Sequence, residues 1–251
     1  MPFTVSHVAA ALPFRRAPLP IAGLVIGTMA PDRPYFLPTP TFRGLTHEPL
    51  GIVTIDLVIG VLAWVVWRVV RRPVVALSPS WARRRVGEPD PAPWQSGARW
   101  WVSAHLLVAA LLLGSVTHLI LDAPTHPGWL AQHVPFLDAT VLGTLVTRWL
   151  QEGFSVVLGA LLVLWIWRWV RRTEPHDDPV PEGAALRLGL WIAVVVVFAL
   201  AVVVAWGVQV AGGARLLDPV VTFRVARISI GVALAGSIAA CVIMAVRTRR
   251  S

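Results

Sequence analysis

His118 and Asp122 stand four residues apart, so on a helix both side chains lie on one face. Pro124 should end that helix soon after Asp122, which lets His126 fold back over the same end. Two other stretches carry similar groups. One is Ala30-Pro31-Asp32-Arg33-Pro34-Tyr35, and the other is Phe42-Arg43-Gly44-Leu45-Thr46-His47-Glu48. Mixed imidazole and carboxylate ligands suit zinc, manganese or iron, with an open coordination position for water. A bound metal lowers the pKa of such a water towards about 7, which makes hydroxide available for hydrolysis. Asp32, His47, His118, Asp122 and His126 are therefore the expected ligands of a divalent metal.

Each of these residues also has a plainer role. A lone histidine at a helix end is ordinarily an interfacial polar group, and His133 and His176 are read that way. His-x3-Asp-x3-His is a weak motif beside HExxH. His105 is out of phase with His118, because thirteen residues turn a helix by about 220°, and it reads as a packing or hydrogen-bonding residue. Asp56 lies about two turns into an apolar run, where an unpaired carboxylate is expensive. It would either hold a histidine ligand in place or form a structural hydrogen bond to a neighbouring helix. Glu48 is a weak candidate for a general base and more simply a carboxylate at a helix N-terminus.

The elements that must position these groups are apolar. Of 251 residues, 56% are hydrophobic and only 14% charged, which places the chain in the membrane class rather than among soluble domains. The +9 charge comes entirely from arginine. The arginines cluster at the ends of apolar runs, as in membrane proteins that use them for orientation, so nucleic acid is excluded as a partner. Cys241 stands alone inside an apolar run, which rules out an intramolecular disulfide or a thiolate metal site.

A bilayer core needs about 20 apolar residues of helix. Leu50–Val70, Trp101–Leu121, Phe154–Val170 (starting as early as Leu142), Leu186–Ala211 and Val220–Val246 meet that need, whereas Leu19–Ala30 is too short to cross. The expected fold is an all-α polytopic helix bundle of about five spans, with one short N-terminal re-entrant segment or half-helix. Residues 73–97 read as an irregular connector. Residues 173–183 read as a linker between a His/Asp-bearing domain, 1–172, and a two-helix hairpin, 184–251. In that hairpin Gly231, Ala235, Gly236, Ala239 and Ala240 suit close helix contact.

Orientation follows from the short loops. Arginines crowd the connections after the first and third spans and the C-terminus, so these face the cytoplasm. The near-neutral loop 122–150 faces out. Trp64, Trp67, Trp100, Trp101, Trp165, Trp167, Trp169 and Trp191 gather at the cytoplasmic interface, with Trp129 and Trp149 opposite. The expected location is the inner (plasma) membrane, with the C-terminus cytoplasmic and all three polar stretches on the outer side.

Met1-Pro2-Phe3-Thr4-Val5-Ser6-His7-Val8-Ala9-Ala10, then Met29-Ala30-Pro31-Asp32-Arg33-Pro34-Tyr35-Phe36, resembles a bacterial membrane family defined by domain of unknown function 4184. His47-Glu48-Pro49-Leu50-Gly51, Asp56, and Thr117-His118 through Thr125-His126 match the same pattern, over roughly residues 1–172. The family looks like a distant relative of membrane-bound metal-dependent hydrolases, which share an early His, a Pro-Asp motif, an Arg-Gly-x-x-His segment and a helix end bearing His and Asp. The resemblance adds His7 as a further candidate ligand. It also implies Thr117 and Thr125, beside the matched histidines, as supporting partners. The sequence departs from the pattern at Glu48, where serine is expected. His7 joins the outer cluster only if the first apolar segment turns back instead of crossing.

The function expected from these residues is that of a membrane-bound hydrolase using a divalent metal, zinc or manganese. Its substrate would be a lipid-like ester or phosphoester of the envelope, and the lipid bilayer its only certain partner. Two other classes compete. One is a non-catalytic membrane protein whose polar cluster is structural or binds a partner. The other is a transporter relaying protons through Asp56 and His105, which the apolar stretch after Asp56 disfavours.

Overall fold

The computed structural model describes residues 4–36, 43–86, 100–126, 128–177, 184–213 and 219–247. Among the described residues, five helices are long and apolar enough to cross a membrane: Pro49–Leu77, Ser103–Thr125, Val146–Arg172, Leu188–Ala211 and Arg224–Val242. The chain is an all-α polytopic helix bundle. It separates into two compact units, 1–33 with 42–65 and 91–173, and 34–41 with 66–90 and 174–251. The expected linker 173–183 lies partly outside the described residues.

In the first unit, a 3-10 helix over Thr4–Phe14 leads into α1 (Ile21–Met29). Nine residues of helix rise only about 14 Å, too little to span a bilayer core of about 30 Å. The chain turns between the two segments, and His7 and Asp32 reach one cluster of side chains. The N-terminal stretch is thus a hairpin. The turn carries Arg15 and Arg16.

Helix α2 runs from Pro49 to Leu77, passing through a π-helical turn at Ile52–Asp56. Pro73 does not end it, which corrects the reading of 73–97 as irregular throughout. A proline deletes one helical hydrogen bond, but the apolar residues Val74–Leu77 continue the helix, and Ser78 Oγ closes its end on the Val74 carbonyl at 2.7 Å. Helix α3 (Ser80–Val86) follows. Helix α4 (Trp100–Asp122) gives way to a 3-10 turn at Ala123–Thr125, where Pro124 stands.

Helices α1 and α4 pack closely because glycines face backbone. A Cβ on Gly27 would collide with the Leu111 carbonyl, and one on Gly114 with the Leu24 carbonyl. Ser115 Oγ adds a bond to the Gly27 carbonyl at 3.2 Å. Leu24 and Ala110 form one core cluster with Ala11, and Ile26, Leu107 and Leu111 form another, with Leu57 and Trp64 packed against it.

The connection after α4 is more structured than a plain loop. It holds α5 (Trp129–His133), a 3-10 turn at Pro135–Asp138 and a hairpin of β1 (Thr140–Val141) and β2 (Thr144–Leu145). Leu142 and Gly143 form the hairpin tip, both at positive φ, as a tight turn of that kind requires. Ala131, Leu137 and Val146 make a small core beneath it. Helix α6 (Val146–Arg172) then leaves the hairpin.

In the second unit, α7 (Ala184–Ala211) packs on α8 (Pro219–Arg247) around Ala205, Val221 and Val225. A Cβ on Gly231 would collide with the Phe36 carbonyl, and one on Gly236 would lie 3.9 Å from Val197.

Candidate metal centre

Asp32, His47, His118 and Asp122 meet at one point, each offering one ligand atom, all within 4.8 Å of one another. They come from four separate places in the chain: the end of α1, the turn before α2, and two positions of the last turn and a half of α4. His118 and Asp32 are fully buried, Asp122 nearly so, and His47 partly exposed.

The spacing is informative. His118 Nε2 is 3.5 Å from Asp32 Oδ1 and 3.6 Å from Asp122 Oδ2, and His47 Nε2 is 3.6 and 3.5 Å from the same two oxygens. These separations are longer than hydrogen bonds. Atoms about 2.1 Å from a common ion at tetrahedral angles lie about 3.4 Å apart, so the distances are close to the edges of a coordination polyhedron.

Protonation points the same way. His118 Nδ1 lies 2.8 Å from the Thr28 carbonyl oxygen, which can only accept, so the proton of a neutral ring is on Nδ1. Nε2 then presents a lone pair to two carboxylates. Among the described residues, that nitrogen, Asp32 Oδ1, His47 Nε2 and both Asp122 oxygens are buried without a hydrogen-bond partner. A cluster of buried acceptors facing one another is stable only around a cation or a proton. The residues therefore fit a divalent metal, and this buried Asp/His/His/Asp group could hold one.

Support comes from behind. Thr4 Oγ1 donates to Asp32 Oδ2 at 2.8 Å, leaving Oδ1 for the cluster. His7 is fully buried, stacks on His118 with ring centres 4.0 Å apart, and turns Nε2 to Asp122 Oδ1 at 3.4 Å. It thus faces the Asp122 oxygen that His118 and His47 do not. Thr4 was not among the residues singled out from the sequence, although it stands in the family-like block three residues before His7.

The remaining candidates fall at different distances from this point. His126 lies beside the four-atom group, with Nδ1 3.6 Å from Asp122 Oδ2. Thr125 gives its hydroxyl proton to the Asp122 carbonyl at 2.9 Å, so His126 Nδ1 donates to Thr125 Oγ1 at 2.8 Å. Thr117 instead bonds the Gly114 carbonyl of its own helix, the usual outlet for a threonine hydroxyl inside a helix. Asp56 ends the π-helical turn, and both its oxygens are buried without a hydrogen-bond partner among the described residues, so the expected bond to a histidine ligand is not formed. Glu48 is exposed at the N-cap of α2's first turn and makes no capping bond. His105 is exposed on α4, and His133 donates to the Trp129 carbonyl at 2.8 Å.

Electrostatics separate the groups outside the spans. Burial alone would push the His47 imidazole down, but the facing carboxylates of Asp122 and Asp32 outweigh it and raise it to about 9. Burial would raise Asp32, yet His47, His118 and the Thr4 hydroxyl hold it below the usual carboxylate range. For His7 burial prevails over the attraction of Asp122 and lowers it.

The family model described as domain of unknown function DUF4184 matches residues 1–246. The chain belongs to this family. The DUF4184 match runs on through the second span pair, beyond the 1–172 stretch on which the resemblance was read, so α7 and most of α8 are part of the family's architecture. No curated protein and no solved structure matches the chain.

Proposed function

We propose that this DUF4184 protein is a membrane-bound hydrolase that uses a divalent metal, zinc or manganese, to cleave an ester or phosphoester of a lipid or envelope precursor. The observation that carries the reading is the set of four ligand atoms with polyhedral spacing, with the His118 lone pair aimed inward by the Thr28 carbonyl. The arginine-rich connections support a site on the non-cytoplasmic face of the plasma membrane.

A structural metal site is closed by protein ligands, whereas a catalytic one keeps a side open. Here a cleft of about 820 Å³ borders His47, Asp122 and His126. That opening favours catalysis over a purely structural cross-link. When bound, a divalent ion supplies Lewis-acid polarisation of the scissile group and activates water near neutral pH. The chain's own residues do the rest. Asp32, His47, His118 and Asp122 bind; Thr4, Thr28 and His7 orient them; His126, with its Nδ1 engaged, exchanges protons at Nε2 beside the cleft. Hydrolysis joins the water oxygen to phosphorus or the acyl carbon, breaks the bond to the alcohol, and passes a water proton to the departing alkoxide.

Elemental analysis of the purified full chain, beside a His118→Ala/Asp122→Ala variant, tests the reading. We expect about one equivalent of metal in the wild type and a loss of at least tenfold in the variant. Equal, negligible metal in both sinks it. Chelator-reversible release of product from lipid phosphoesters is the matching activity.

A further inference from the structure

The cleft over the metal centre has two characters. Its floor is the polar edge of His47, Asp122 and His126, while Pro49, Leu119, Ala123, Trp129 and Leu130 make an apolar wall. Pro49 opens one spanning helix, and Leu119 and Ala123 lie near the end of another. The cleft thus sits where the spans end, at the depth of lipid headgroups.

The flanks of the cleft are apolar and exposed. Leu50, beside Pro49, is 70% exposed, and Ile120, beside Leu119, is 64% exposed. On a spanning helix such surface faces acyl chains. The connection beyond α4 adds Trp129 at 71%, Phe136 at 65% and Leu142 at 89%. Leu142 keeps its exposed position at the hairpin tip despite a φ of 52°, a conformation that L side chains adopt at a cost. Tryptophan and large apolar side chains outside a spanning helix suit the membrane interface.

We infer that the cleft admits a long-chain phospholipid sideways from the bilayer, its phosphoester over the His47/Asp122 floor and an acyl chain along Leu119, Trp129 and Leu130. A water-soluble phosphoester would gain nothing from that wall. A lipid gains affinity with every methylene it buries there, about 0.8 kcal/mol each in the limit of full burial. The inference narrows the substrate class of the proposed hydrolase and rests on that reading for the chemistry, but the binding cleft stands or falls separately.

The test is photo-crosslinking of the full chain in detergent with one equivalent of a long-chain phosphatidic acid carrying a photoactivatable acyl chain, followed by peptide mapping and metal analysis of the same samples. We expect labelling within 119–130 that excess long-chain phosphatidic acid suppresses at least tenfold and glycerol phosphate does not. Leu119→Glu/Trp129→Glu should lose that labelling at least tenfold while keeping its metal. Equal suppression by glycerol phosphate, or undiminished labelling of the variant, overturns the inference. If the variant does not fold, the competition on the wild-type chain decides alone. Labelling as expected in a chain that binds no metal leaves the lipid cleft standing and removes the hydrolase.

Discussion

His118 Nδ1 donates to the main-chain carbonyl of Thr28 at 2.8 Å, a bond between residues 90 positions apart. A backbone acceptor on α1 thereby sets the tautomer of a ring on α4, and with it the direction of the lone pair on Nε2. The two helices can come this close only because Gly27 and Gly114 carry no side chain between them.

Gly27→Ala should therefore damage the centre from a distance. The added methyl meets the Leu111 carbonyl, so α1 and α4 must separate at a cost of about 1–3 kcal/mol. Thermal melting should fall and metal occupancy should drop with it. A variant with unchanged melting and full metal would refute the packing argument.

Thr4→Val removes the donor to Asp32 Oδ2 and keeps the shape of the side chain. We expect metal affinity to fall about tenfold, in the range typical for outer partners of ligands, with the helical content intact. Competition with a chelator of known affinity measures the change; no shift would mean that Asp32 needs no such support.

pH dependence follows from His47. Its pKa in the metal-free protein, about 9, lies above the ordinary 6.5. Its proton stabilises the metal-free fold fully below about 6.5, and the contribution, at most about 3 kcal/mol, is lost as pH rises through about 9. Metal must displace that proton, so apparent metal affinity should climb by up to about tenfold per pH unit between 7 and 9. Melting of chelator-treated protein across pH 6 to 10 should show the decline, and metal-loaded protein should not. A flat profile for the metal-free protein counts against the pairing of His47 with Asp32 and Asp122.

Asp56→Asn keeps the side chain's size and removes its charge. Asp56 is buried, its carboxylate has no hydrogen-bond partner among the described residues, and it lies within electrostatic range of His47, His118 and Asp32. Burial makes its charge costly, the proton on His47 offsets that only in part, and a divalent cation would offset more of it. The variant should melt higher than wild type without metal and bind metal about tenfold more weakly. Unchanged affinity would reduce Asp56 to a structural residue of the π-helical turn.

Much of this arrangement was legible in order along the chain. Apolar runs of about 20 residues leave only the helix as a way to satisfy the backbone in a bilayer, and five long apolar helices stand where those runs do. The spacing of His118 and Asp122 placed both on one face, and Pro124 predicted the break after them. Pro73 misled, because a proline only weakens a helix whose neighbours remain apolar. The π-helical turn at Ile52–Asp56 left no periodic signal, since one extra residue per turn shifts a helical pattern without erasing it.

What the sequence by itself determined is the membrane class, the helical elements and the residue types able to bind a metal, because these depend on local composition and short-range spacing. What only the tertiary structure decided is which of those residues meet. His7 could not be placed until the N-terminal segment was seen to turn back, and no spacing along the chain paired Thr4 with Asp32. The polyhedral spacing of Asp32, His47, His118 and Asp122 depends on backbones brought into contact at Gly27 and Gly114. Such contacts join positions nearly ninety residues apart, and no periodicity along a chain encodes a distance of that kind.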